Sequence, residues 1–268
     1  MQIIQAASPN YSTGRNGKSI IAIVNHITAG LMPGTLSWLQ NPSAQASAHY
    51  LVTKTGEVYQ LVADENTAWH AGIVNNPDWA LYDGSNPNRY TIGIEHECIS
   101  GGELTEAQYQ ATLWLHQQLM AKWGIPADTD HIVGHCRIDS VNRPNDPGSS
   151  FPWDRLFADL IYPPVNIEIG AAILQGVSYN NSSYAPVREL CNTLGKQVQW
   201  DAGTSTVLVE GYSGPAYGAT SYVKIAVASQ LIKALIINNK SYAPVRQLAE
   251  ALGHKVSWDA GTNTVIVV

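Results

Sequence analysis

The sequence predicts an α/β domain, with a mixed central sheet flanked by helices, followed by a smaller α+β domain of two repeats. Three observations carry this reading. Short apolar, β-branched runs recur through residues 1–161 around one long helical segment. A proline-rich break follows at Tyr162-Pro-Pro-Val165. A block of sequence then occurs twice, with the second copy 58 residues after the first (183 to 241, 200 to 258).

Ile20–His26, Ala48–Thr53, Thr91–Glu95 and His131–Gly134 are short and mostly apolar, so they read as buried strands. Thr105 to Trp123 reads as a helix. Thr105 as N-cap with Gln108 three residues on has the pattern of a capping box, and Gly124 before Pro126 supplies the stop. Ala107, Ala111, Trp114, Leu115, Leu119 and Trp123 recur at helical spacing, which predicts one core-facing side. Two prolines stiffen Tyr162–Val165 and end the preceding helix, so this segment is expected to link a domain 1–161 to a domain 166–268.

In the second domain Ser183-Tyr-Ala-Pro-Val-Arg188 recurs as Ser241-Tyr-Ala-Pro-Val-Arg246, and Trp200-Asp-Ala-Gly-Thr204 as Trp258-Asp-Ala-Gly-Thr262. Each unit, about 166–211 and 225–268, reads as a short strand followed by a helix begun by proline. The helices are Arg188–Leu194 and Arg246–Leu252. Gly195 and Gly253 are placed to cap them in a left-handed conformation. Two strands close each unit (Lys196–Trp200 with Ser205–Glu210, Lys255–Trp258 with Thr264–Val268), turned by Asp-Ala-Gly-Thr. Two stacked structural units are expected, with Trp200, Trp258, Tyr184 and Tyr242 as core.

Composition narrows the function. With 45% hydrophobic and 13% charged residues the chain is an ordinary globular one. A net charge of −6 without any basic run argues against a nucleic-acid partner. No stretch approaches the ~20 apolar residues of a membrane span, so no membrane insertion is expected. The N-terminus lacks a basic region followed by a long apolar one, so no secretory signal is read there. Three cysteines argue against a disulfide framework.

Seven of the eight histidines fall in the first domain. His26 ends an apolar strand, where an α/β sheet presents side chains to a crevice. His131 and His135 flank a second strand, and Asp146 follows. Two imidazoles and a carboxylate are the usual catalytic zinc set, with a fourth position left for water. Either His131 or His135 could complete it.

The segments Val24-Asn-His-Ile-Thr28, Ser47-Ala-His-Tyr-Leu-Val52, Ala68-Trp-His-Ala-Gly72, Thr91-Ile-Gly-Ile-Glu95, Ile132-Val-Gly-His-Cys136 and Asn145-Asp-Pro-Gly148 occur in this order. Together, over roughly residues 18–158, they resemble the zinc-dependent N-acetylmuramoyl-L-alanine amidases that share a fold with peptidoglycan recognition proteins. The resemblance implies Zn²⁺ on His26, His135 and Asp146, the Gly-His-Cys context favouring His135 over His131. It puts the catalytic glutamate at Glu95, with Glu97 as competitor two residues along. It places His49, Trp69 and His70 around the metal or against substrate. Many members carry a lysine two residues before the Asp ligand. Here that position is Pro144 and the nearest cation is Arg143, which is then expected to assist at the oxyanion. The implied reaction is zinc-assisted hydrolysis of the amide joining N-acetylmuramic acid to L-alanine in peptidoglycan.

The paired C-terminal units resemble the repeats found at the N-terminus of copper amine oxidases. His254 is their only histidine, so no copper set is expected. A wall-targeting module is the functional expectation for them. A catalytic domain first, a wall-binding module second and no signal together suggest a bacteriophage or prophage endolysin, made in the cytoplasm and acting at the cell wall after release. The alternatives are a bacterial autolysin or spore-wall amidase, or a non-catalytic peptidoglycan-binding protein, against which Asp146 argues.

Overall fold

The apolar runs of the first unit form a six-stranded sheet whose register builds the site. Its strands are β1 (Ile3–Gln5), β3 (Ala22–Ile27), β4 (Tyr50–Val52), β5 (Val58–Gln60), β7 (Thr91–His96) and β8 (Ile132–Gly134), while β2 (Tyr11–Ser12) and β6 (Thr67–Ala68) make a separate ribbon. The spatial order is β1-β5-β4-β7-β3-β8, with β4–β5 the single antiparallel pairing. The computed structural model describes residues 1–268, and the chain divides into two units, Met1–Leu160 and Ile161–Val268.

Side chains alternate across each strand. Ile23, Ile92 and Ile94 pack under the helix α2 (Glu106–Trp123) with Ala111, Leu115 and Leu119. Ala22 and Val24 point the other way, into a cluster with Ala71, Trp79, Tyr90 and Val133. His26 shares the parity of Ala22 and Val24, and Glu95 is opposite in parity to Ile92 and Ile94, so both leave the helix-covered face. The helices α1 (Gly34–Leu39) and α3 (Trp153–Ile161) complete the unit.

The helix α2 begins where expected, with Thr105 as N-cap accepting from the Gln108 N–H. The reciprocal half of the capping box does not form. Gln108 is buried and donates instead to the carbonyls of Val52 and Glu97, tying the helix start to strand ends. The buried arc is also wider than the apolar pattern, because Thr112 and His116 bond back to carbonyls of their own helix and so can be buried. Ala107, expected in the core, is exposed. No helix is long and apolar enough to cross a membrane.

The second unit departs from the stacked-repeat expectation. Repeat one contains β9 (Pro164–Ile169), β10 (Ala172–Tyr179), β11 (Ser182–Pro186), α4 (Val187–Thr193), β12 (Val198–Asp201) and β13 (Thr206–Val209). Repeat two contains β14 (Lys224–Val227), β15 (Gln230–Lys233), β16 (Leu235–Ile237), β17 (Lys240–Pro244), α5 (Val245–Ala251), β18 (Val256–Asp259) and β19 (Thr264–Val267). Each repeat donates its closing hairpin to the other. β13 runs parallel to β14, Thr206 opposite Lys224, and β19 runs parallel to β9, Thr264 opposite Asn166. β11 meets β17 antiparallel, Ala185 opposite Ala243, the same residue of each repeat on a local two-fold axis. One apolar cluster serves both repeats, and Ile167, Leu190, Ile225 and Leu248 are fully buried in it.

Three further expectations are corrected here. The segment read as a linker already belongs to the second unit, since β9 starts at Pro164 and Val165 is buried. Pro186 and Pro244 are N-caps of α4 and α5 and not their first helical residues. Trp200 and Trp258 are not core: they are 51% and 49% exposed. The Asp-Ala-Gly-Thr turns do form, Asp201 and Asp259 each accepting from the glycine N–H two residues on.

Candidate active site

Parallel pairing of β3 with β7 sets His26 directly beside Glu95 at the carboxyl ends of the strands. On the other side of β3, β8 ends at Gly134 and delivers His135 in a single 3₁₀ turn. Gly134 is required here: a Cβ on it would stand 2.7 Å from Pro147 Cδ. Without one, the Asn145–Pro147 loop lies against the strand end, and its Asp146 carbonyl accepts from the Cys136 N–H at 2.9 Å. The aspartate is thereby brought to both histidines. Asp146 Oδ2 is 3.1 Å from His26 Nδ1 and 3.1 Å from His135 Nδ1, while Oδ1 accepts from the Ile27 N–H at 2.8 Å.

These three donors lie within 4.8 Å of one another. Ligands held at about 2.0–2.1 Å around a tetrahedral zinc stand roughly 3.3 Å apart, so the spacing and the N/N/O chemistry fit that ion. The far nitrogen of His26 fits as well. His26 Nε2 is 3.1 Å from His70 Nδ1, His70 Nε2 is 3.2 Å from Thr91 Oγ1, and that hydroxyl donates to the Pro87 carbonyl. The chain of bonds has one consistent direction: His26 Nε2–H donates to a neutral His70, which donates to Thr91. Burial works against a charge on His26, but the Asp146 carboxylate facing Nδ1 raises its pKa above the ordinary value; a metal ion in that gap would replace the Nδ1 proton. Orientation of a ligand histidine through its other nitrogen is the usual arrangement.

The electrostatics agree. Burial works against the Asp146 carboxylate, but the His26 and His135 imidazoles and the Ile27 N–H hold its pKa well below the ordinary range. Burial, with His26 and His49 adding to it, keeps His70 neutral. Burial pushes Glu95 up to about 7; His26 and Arg143 pull against this and Asp146 adds to it. Glu95 Oε2 and His135 Nε2 are buried without a partner in the protein. A carboxyl poised near neutrality, with one oxygen uncommitted, is suited to accept and return a proton.

These groups open into a cleft of about 940 Å³ lined by His26, Glu95, His135 and Asp146 together with Trp69, His70 and Arg143. Trp69 is fixed by its indole N–H to Ser12 and its backbone N–H to Ser47. Three expected or competing residues lie elsewhere. His49, expected near substrate, is fully buried and does not line the cleft. Its Nδ1 accepts from the Gly93 N–H, its Nε2 faces the Asn66 carbonyl at 3.2 Å, and burial beside Arg15 lowers its pKa to about 3. It is a support behind His70, not a substrate contact. His131 is bound to Asp128 at 2.7 Å, away from the cluster. Glu97 lies beyond β7, where its oxygens accept from the N–H groups of Met32 and Lys54. Pro144 lines the cleft beside Arg143 and brings no charge to it.

Sequence reasoning missed two features. Arg15 is buried and donates to the carbonyls of Asp64 and Thr91, pinning the N-terminal segment behind the site. Trp38, Leu31 and Val141 are exposed apolar residues on the cleft rim. Only their hydrophobicity hinted at this, since they sit on a six-residue helix and loops without periodicity.

An α/β sheet that presents a His/His/Asp cluster and a neighbouring glutamate in an open crevice defines a hydrolase, and the comparisons with known proteins give its kind. Residues 16–149 match the N-acetylmuramoyl-L-alanine amidase family, and residues 168–267 match the copper amine oxidase N-terminal domain. N-acetylmuramoyl-L-alanine amidase A of Achromobacter lyticus is 35% identical over 171 residues, 57% of this chain and 88% of the relative. 1,6-anhydro-N-acetylmuramyl-L-alanine amidase AmpD of Salmonella typhimurium (strain LT2) is 38% identical over 115 residues, 42% of this chain and 57% of the relative. Among solved structures, Escherichia coli AmiD, in complex with anhydro-N-acetylmuramic acid-L-Ala-D-gamma-Glu-L-Lys, is 30% identical with a TM-score of 0.45, covering 54% of this chain and 57% of that one. The chain belongs to the N-acetylmuramoyl-L-alanine amidase family and is an enzyme of that class.

Proposed function

We propose that this amidase is zinc-dependent, cleaves the bond between N-acetylmuramic acid and L-alanine in bacterial cell walls, and serves as a lytic endolysin. The observation that carries the metal assignment is the meeting of His26 Nδ1, His135 Nδ1 and Asp146 Oδ2, with the second nitrogen of His26 engaged by His70. Zinc held by His26, His135 and Asp146 would acidify a bound water to a pKa of ~7 and polarise a carbonyl. Glu95 then takes the proton from the attacking water and returns it to the leaving amine. Arg143, on the cleft wall, supplies positive charge toward the developing oxyanion. Trp69 and His70 line the same wall and bound the space for the muramyl-peptide. The pairing of this unit with a second compact one, holding its own core, supports a wall-degrading enzyme that attaches as well as cuts.

The test is to incubate the whole chain with purified cell walls and identify the new termini by mass spectrometry. Free L-alanine amino groups and free lactyl carboxylates are expected, abolished by chelation and restored by zinc. Cleavage within the glycan or within the stem peptide, or full activity in a metal-free preparation, overturns the proposal.

A further inference from the structure

The local two-fold axis of the second unit generates two equivalent grooves, of about 470 and 360 Å³. One carries Trp200 and Arg188 from repeat one with Asn239 from the turn of repeat two. The other carries Trp258 and Arg246 from repeat two with Asn181 from the turn of repeat one. Every one of these pairs is separated by 58 positions, so exchange of the closing hairpins built the same groove twice. Each indole is half exposed in a groove and is not needed to fill the core, which closes beneath it through Val198, Val207 and Val265.

The chemistry of the grooves is mixed. An indole face suits the C–H face of a pyranose ring, and the Asn, Ser and Gln side chains around it suit hydroxyl and acetamido groups. Each groove also presents a guanidinium in a chain of net charge −6. Arg188 and Lys240 stand against Glu189 in one, and Arg246, the one charged lining residue of the other, has Glu250 of its own helix beside it. Arg246 is steadied through Nη1 by the Val256 carbonyl at 2.9 Å and by Glu250 at 3.2 Å. A neutral sugar would not need that charge. A sugar bearing a carboxylate would.

The amidase reaction creates such a sugar. Hydrolysis of the amide adds water across the C–N bond, leaving a free carboxylate on each lactyl group and an amine on the released peptide. We propose that the two grooves bind the glycan strand that the enzyme has stripped, with the indole under a sugar ring and the guanidinium on the lactyl carboxylate. The proposal rests on the amidase reading. The enzyme would then be held on its product strand, two weak sites acting together, next to stems not yet cut.

The experiment measures retention of the full chain, in its non-hydrolysing Glu95→Gln form, on three probes: glycan strands stripped of peptide beforehand, intact peptidoglycan, and uncharged N-acetylglucosamine oligomers. Because the stripped strands are prepared separately, binding is read independently of this chain's catalysis. Stripped strands should bind best. Trp200→Ala and Trp258→Ala should each weaken binding by roughly three- to tenfold, the double variant more than either, and Trp→Tyr should restore most of it. Arg188→Gln with Arg246→Gln should remove the preference for stripped strands over the uncharged oligomers. With Glu95 in place, activity on a soluble muropeptide should be unchanged in all the groove variants. No retention on stripped strands, equal retention on uncharged oligomers, or tryptophan variants that bind like the parent would each overturn the proposal.

Discussion

The His70 imidazole lies so close over Gly93 that a Cβ there would stand 2.5 Å from its Cγ. Nothing but a glycine on β7 allows the ring to lie between His26 and Thr91. Gly93→Ala is therefore expected to displace His70 and free His26 Nε2. Zinc affinity, measured by chelator competition, should fall about 10- to 100-fold, the usual effect of removing the partner of a ligand histidine. An unchanged affinity would show that the His26–His70 bond does not orient the ligand.

Glu95 and Glu97 are two residues apart and do different work. Glu95→Gln is expected to retain the fold and the metal yet lose about 10²–10⁴ in rate. Glu97→Gln replaces a carboxylate that accepts two backbone N–H groups, and an amide can serve only one of them. It should cost about 1–3 kcal/mol of stability in urea unfolding, with the rate per folded molecule kept. Reversal of the two phenotypes would move the base to Glu97.

The repeats should not survive separation. A chain ending after Gly211 loses β14, β17 and β19, and so leaves β13, β11 and β9 each without one of its two partner strands and the shared cluster open. Backbone amides from 164 to 209 are expected to lose their hydrogen-exchange protection. Protection equal to that of the full chain would mean that each repeat folds alone.

His116 gives a pH dependence of stability. Burial lowers its pKa from the ordinary 6.5 to about 4, so the folded chain keeps it neutral where the unfolded chain binds a proton. Stability therefore rises with pH across the window from about 4 to 6.5, and is lost as pH falls through it, by about 1.4 kcal/mol per pH unit for one such group. His116→Phe should reduce the difference in unfolding free energy between pH 4.5 and 7 by about 2 kcal/mol. A difference that stays the same would show that the imidazole protonates without leaving its place.

The sequence by itself determined which residues could do chemistry and which segments were elements. His26 and Glu95 are legible locally as polar residues ending apolar runs, while the choice of His135 over His131 and the place of Asp146 came with the resemblance of the ordered motifs. The α2 start and stop, the turns at Asp201 and Asp259 and the 58-residue period are also local, because capping and turn formation depend on a few adjacent residues. The tertiary structure decided what pairing decides. Strand alternation says that a residue faces one side, but not which strand lies beside it. So the His26–Glu95 adjacency, the commitment of Glu97 to Met32 and Lys54, and the retreat of His49 behind His70 became visible only in the register of the sheet. The repeats show this most fully. Two identical patterns are satisfied equally well by a hairpin folding back on its own repeat or crossing to the other, since the same apolar residues are buried either way. Only the folded chain, with β13 on β14 and β19 on β9, shows that they cross and leave Trp200 and Trp258 outside.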